Sequence, residues 1–185
     1  MLLNILLVVV AIVAGFLLFA ATRPDGFRLE RQTTIKAPAD QIFAHLNDFR
    51  AWAAWSPWEK IDPAMQRTHS GAASGVGAAY AWDGPKVGAG RMEILETAPP
   101  ESAAIKLDFT RPFEAHNTIR FTLTAAGDST TVNWAMEGKN NFMAKVMGLF
   151  LNMDKMVGKD FEAGLANLKV LAEQRRPDAG SRAAG

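Results

Sequence analysis

The chain begins with one unbroken apolar run and then changes to short segments in which apolar and polar residues alternate. Residues 1–22, MLLNILLVVVAIVAGFLLFAAT, carry no charged side chain, and Asn4 is their one strongly polar residue. A helix of that length spans a hydrocarbon core of roughly 30 Å. The stretch therefore reads as a membrane anchor, and the protein as single-pass, in the inner membrane of a bacterium. A cleaved signal peptide and a buried helix of a soluble protein remain alternatives. Against the signal peptide, no basic segment precedes the run, and the run is longer than the usual apolar region. Arg23, Arg28, Arg31 and Lys36 follow it, so the positive-inside rule favours a cytoplasmic domain. Some of those charges belong to the first strand, which leaves the side of the membrane open.

After a short linker over 23–26, FRLERQTTIK alternates as a strand with Leu29, Thr33 and Ile35 on one face. APADQIFAHLND then starts a short helix, with Pro38 in its first turn and Ile42, Phe43 and Leu46 on its buried side. His45 is expected on the polar side. FRAWAAWSPWEKIDP supplies a second short helical segment rich in tryptophan. Strands are expected near 64–70, 76–83, 89–97, 102–110, 114–125 and 129–138, separated by Gly- and Pro-containing turns. Ile105, Leu107 and Phe109 alternate with Lys106 and Asp108, and Ile119, Phe121 and Leu123 with Arg120 and Thr122. One-sided alternation of this kind predicts an antiparallel sheet with one face covered and one solvated.

The cover is the helical stretch from Phe142 to Gln174, with Asn140 or Asn141 as N-cap and a break near Asn152. Gly148, Gly158 and Gly164 inside it predict a kink or a close approach to the sheet. Residues 175–185, rich in small and polar side chains, are expected to be a disordered tail. The order is strand, two short helices, six strands and a long helix. A curved sheet wrapped around that helix leaves a cavity between them.

IKAPADQIFAHLNDFRAWAAWSPW, GVGAAYAWDG, VGAGRMEI, TTVNWAMEG and MDKMVGKDFEAGLANLK occur in this order over Phe27 to Gln174. Together they resemble the START-like superfamily, also called SRPBCC, the polyketide cyclase/dehydrase and lipid-transport proteins. The resemblance implies an α+β helix-grip fold: a curved antiparallel sheet of about seven strands around a long C-terminal helix, with two short helices after the first strand. With it comes an apolar pocket for a lipid or another hydrophobic small molecule. Some members are enzymes, but the superfamily shares no catalytic motif, so the resemblance transfers fold better than activity.

The candidate site residues follow from the phase of the strands and helix. Phe109 and Arg111 continue one inward row, Asn117 opens the next, and Met92 and Trp134 face inward from their own strands. Trp55 and Trp82 are large aromatics suited to an apolar pocket, Trp82 at its rim. On the helix, Met147, Phe150, Val157 and Phe161 share a side, together with Met143, Leu165 and Leu168. Asp154 falls within that apolar stripe, where an unpaired carboxylate is costly. Either it contacts a ligand hydroxyl or amine, or it is solvated or paired with a strand residue, for which Arg111 is the candidate. Met92, Met136, Met143, Met147, Met153 and Met156 suggest an adaptable wall.

Composition removes other chemistries. There is no cysteine, and His45, His69 and His116 lack metal-ligand spacing, so no metal site or cofactor is expected. GVG and GAG are not phosphate cradles, and a GxSxG elbow is absent. A net charge of +1 without a basic stripe gives no case for nucleic acid. The expected partners are the apolar ligand and the membrane; nothing in the sequence names a protein partner. The expected function is binding of a hydrophobic molecule beside the membrane. The alternatives are a cyclase, dehydratase or hydrolase acting on an apolar substrate, and an interaction module with a filled cavity.

Overall fold

A computed structural model describes residues 1–150 and 152–174. The expected tail at 175–185 and the side chain of Met153 lie outside what it describes. Helix α1 (Leu2–Ala21) is apolar apart from Asn4, and Ala20 is its one buried residue. Its mean hydropathy of 3.0 and its length fit a membrane span.

Strand β1 (Gly26–Ile35) follows after four residues, then α2 (Ala39–Leu46), a 3-10 turn (Ala51–Ala54) and the short α3 (Trp58–Ile61). Six strands come next: β2 (Gln66–Gly71), β3 (Ala78–Gly84), β4 (Gly88–Ala98), β5 (Ser102–Arg111), β6 (Ala115–Ala126) and β7 (Ser129–Lys139). Helices α4 (Phe142–Met147) and α5 (Met153–Gln174) complete the order. All strand pairs are antiparallel, in the order β1-β7-β6-β5-β4-β3-β2. The first strand thus returns to pair with the last, as a sheet wrapped around a helix requires. The fold is the expected α+β helix grip.

Alternation sets the inner face. Ile105, Leu107, Ile119, Phe121, Leu123, Val132 and Trp134 are buried, while Lys106, Arg120 and Thr122 are exposed. Helix α5 covers this face with Phe161, Leu165, Leu168 and Ala172. Tryptophans join the short helical segments to the core. Trp52 Nε1 donates to Leu46 O at 3.1 Å and Trp55 Nε1 to His45 O at 3.2 Å. The last carbonyls of α2, which have no partner within their own helix, are satisfied in this way.

Asparagines start the two final helices. Asn141 Oδ1 accepts from Ala144 N at 2.8 Å, and Asn152 Oδ1 accepts from Lys155 N at 2.9 Å. The break near Asn152 is therefore two capped helices, not a kink. Gly148 caps the first. Gly158 and Gly164 mark close approaches: a Cβ at Gly164 would lie 2.9 Å from the Trp134 ring, and one at Gly158 would lie 2.1 Å from the Arg31 guanidinium.

His45 is buried, 6% exposed, not on the polar side of α2. It lies three residues after Ile42, so helical spacing puts it on the apolar face whatever its chemistry. The apolar residues of α4 and the turn after it do not cover the sheet either: Met143, Met147 and Phe150 are 54%, 40% and 73% exposed. The two-helix break turns them away from the core and toward α1, where Phe16 and Phe150 stand 5.4 Å apart between ring centroids.

Candidate functional site: a cavity between the sheet and the helices

A cavity of about 1020 Å³ lies between the inner face of the sheet and helices α3, α4 and α5. Its deep end is aromatic. Trp134 stacks on Phe161 of α5 at 4.0 Å and 15°, and Trp58 meets both rings edge-on at 5.7 and 6.1 Å. Met92, Leu107, Ile119 and Met136 continue the wall along the strands. Gly164 lets α5 approach close enough for the Trp134–Phe161 stack.

The other end opens outward. It is lined by Arg23 and Pro24 from the segment after α1, Phe27 from the start of β1, the β5–β6 turn at 111–114, Lys139 at the end of β7, and α4. Phe113, Met143, Met147 and Phe150 stand exposed around this opening. Charged groups at the mouth are mostly paired: Lys145 with Asp25, and Arg111 with Asp83.

Among the predicted site residues, Trp82, Met92, Phe109, Arg111, Asn117, Trp134, Met147, Phe150, Asp154, Val157 and Phe161 all line this cavity. Trp55 does not. It is 0% exposed, and its ring packs against Trp52, Phe121 and Trp134, which makes it core behind the wall. Of the methionines, Met92, Met136, Met143 and Met147 line the cavity, whereas Met156 faces away from it, 54% exposed.

Asp154 is paired, but not with Arg111. Arg31 of β1 reaches it at 3.2 Å and Glu162 at 2.8 Å, one turn either side of Gly158. The missing side chain at Gly158 is what lets the guanidinium lie against the helix. Asp154 therefore helps to latch α5 to the edge strand, with its own carboxylate 63% exposed.

Sequence reasoning missed Ser56, Glu59 and Tyr80, which line the deep end. Tyr80 donates to Glu59 Oε1 at 2.6 Å, and Arg67 donates to Glu59 Oε2 at 2.7 Å. Burial first, and then the Glu59 hydrogen bond and charge, raise the Tyr80 phenol above its ordinary value. It is a donor that keeps its proton. Tyr80 had a signal, lying in inward phase with Ala78 on β3; Ser56 and Glu59 sit in irregular and single-turn segments, where no periodicity points inward. Among the described residues there is no cluster of acidic or histidine side chains able to hold a metal.

Residues 26–173 match the family described as polyketide cyclase / dehydrase and lipid transport. The chain belongs to that family. No curated protein matches the sequence. Solved structures share the fold at low identity. Protein CV1439 from Chromobacterium violaceum aligns at a TM-score of 0.58 and 18% identity, over 82% of this chain and 99% of its own. The di-domain aromatase/cyclase StfQ of the steffimycin biosynthetic pathway aligns at 0.59 and 12%, over 82% of this chain and 52% of its own. Major latex-like protein 151 from Panax ginseng aligns at 0.55 and 16%, over 80% of this chain and 99% of its own. In the family domain, then, the cavity sits in the grip between sheet and long helix, and α1 lies outside the matched region.

Proposed function

We propose that the protein is a membrane-anchored binder of a lipid or another hydrophobic small molecule, held in the cavity between sheet and α5. In this reading residues 1–22 are the anchor, 23–26 the linker and 27–174 the ligand-binding domain. The observation that carries it is the cavity of about 1020 Å³, with apolar and aromatic walls, whose mouth includes Arg23 and Pro24. Apolar walls with a few placed polar groups are the usual form of a small-molecule site. Because the mouth begins two residues after α1 ends, an anchored chain holds it at the membrane surface. Exposed Phe113, Met147 and Phe150 then meet the interface and not bulk water. Large exposed apolar patches mark such contacts. The basic residues after α1 favour a cytoplasmic domain.

The test is withdrawal of lipid. Protein lacking residues 1–22 is mixed with vesicles carrying a self-quenched fluorescent phospholipid and a fluorescent sterol. Dequenching in proportion to protein concentration supports the reading; a folded protein that withdraws neither probe contradicts it.

A second reading, catalysis on an apolar substrate, is favoured by one observation. Glu59 and Tyr80 converge at the deep end of the cavity, hydrogen-bonded to one another. Their arrangement suits it less, because Arg67 already holds Glu59 and the phenol retains its proton. Under the binding reading, Tyr80→Phe leaves ligand loading intact; under the catalytic reading it stops product from appearing in the extracted ligand.

A further inference from the structure

Most polar side chains around the cavity already have partners. Arg111 is paired with Asp83, Lys145 with Asp25, Asp154 with Arg31, Tyr80 with Glu59, and Glu59 with Arg67. Asn117 and Ser56 differ. They are 8% and 4% exposed, both line the cavity, and neither side chain has a hydrogen-bond partner among the described residues. Their polar atoms are not among the enclosed unpartnered ones, Asn47 Oδ1 and Trp134 Nε1, so they open onto the cavity, where a bound molecule can reach them.

The two come from opposite walls. Asn117 belongs to the sheet, where it pairs in register with Leu107 of β5 and Gly138 of β7. A Cβ at position 138 would lie 2.0 Å from Asn117 Oδ1, so the glycine provides the niche that seats the amide. Ser56 lies two residues before Trp58 in the segment leading to α3, at the deep end. Trp134 Nε1 also lacks a partner, but it is a fully enclosed atom that a ligand reaches only after the wall moves.

An amide and a hydroxyl both donate and accept, and neither carries charge. Of the carboxylates lining the cavity other than Asp154, Glu59 is paired with Arg67, and Glu114 lies in the exposed β5–β6 turn beside His116. The complementary ligand group is therefore a neutral oxygen. Resting on the ligand-binding reading above, we propose that Asn117 and Ser56 are two polar contacts of the cavity, each for a neutral hydroxyl or carbonyl oxygen of an otherwise apolar ligand. The carboxylate first suspected as the polar anchor, Asp154, is committed to Arg31. The polar contacts lie inside the cavity instead.

The experiment uses the full chain in phosphatidylcholine vesicles. It is photolabelled with a long-chain alcohol bearing a diazirine at its far end and, in parallel, with the matching hydrocarbon and the matching carboxylate. Both neutral probes label cavity-wall peptides in the wild type. Asn117→Leu keeps hydrocarbon labelling and lowers alcohol labelling by about tenfold, the usual scale for one buried hydrogen bond; Ser56→Ala acts in the same direction. Alcohol labelling that is unchanged in both variants overturns both contacts. If Asn117→Leu loses hydrocarbon labelling as well, Ser56→Ala alone decides. Carboxylate labelling above that of the alcohol overturns the neutral-oxygen assignment. Failure of both neutral probes to label the cavity of the wild type overturns the ligand-binding reading itself.

Discussion

Trp134 is the residue at which core and cavity meet. One part of its surroundings is the buried Trp55 and Phe121, and another is the cavity wall formed with Trp58 and Phe161. Gly164 is what allows α5 to rest on it. Gly164→Ala would place a methyl 2.9 Å from the indole and 3.2 Å from Pro57 Cδ. Overpacking of a tight core costs typically about 1–3 kcal/mol, and the better helix propensity of alanine returns about 1 kcal/mol. Urea denaturation should therefore show a net loss of up to about 2 kcal/mol; a stabilised variant would mean that the helix does not sit where described. Phe161→Ala removes the stacked partner and should cost about 3–5 kcal/mol by the same measurement.

His116 gives a pH prediction at the same scale. The Asp108 carboxylate 2.7 Å from its Nδ1, with Glu114 near its Nε2, raises it above the ordinary value of 6.5. A folded-state pKa above the unfolded one means that the proton favours the folded state. That contribution is complete below about 6.5 and is lost as pH rises through the higher folded value. It is small, because the ring is exposed. The imidazole titration followed by NMR should have its midpoint above 6.5, and Asp108→Asn should bring it down; a midpoint unmoved by that change would contradict the pair.

Among the elements, α4 is the one whose apolar composition and exposed position disagree in water, and the proposed anchoring of the chain would reconcile them. It is apolar yet exposed, ends at Gly148, and stands at the cavity mouth beside α1. Phe150→Ser with Met147→Ser should leave the unfolding midpoint nearly unchanged, since exposed positions usually shift stability by less than about 0.5 kcal/mol. Lipid uptake from vesicles should slow severalfold in the same variant. Equal uptake would remove α4 from the path.

The strands were legible for a physical reason: the sheet has one wet face, so alternation such as 105–109 and 119–123 reports burial directly. Every expected strand is present, with its ends displaced by no more than two residues. Arg31 was not legible as the partner of Asp154. The two residues are far apart in sequence, and only the packing of α5 across β1 together with the gap at Gly158 brings them together. Arg111, chosen on phase, proved to be taken by Asp83 of the neighbouring hairpin. Ser56 and Glu59 escaped notice because short irregular segments carry no period. Trp55 shows the opposite failure: its residue type suited a pocket wall, but packing depth decided its place.

In the molecule as a whole, three features lie together: an apolar helix at the N-terminus, a large cavity in the helix grip, and a mouth that starts where the helix ends. If α1 is an anchor, the full chain should remain with membranes through an alkaline carbonate wash, and protein starting at residue 24 should be released. Release of the full chain would separate the cavity from its supposed lipid source.

The central claim is that the cavity holds an apolar molecule, and the most direct measurement is mass spectrometry of the organic extract from purified residues 24–185. The extract should contain one class of apolar compound, near one per protein and bearing a neutral oxygen function. A folded protein that yields no such compound, and takes none up when vesicles are supplied, would contradict it.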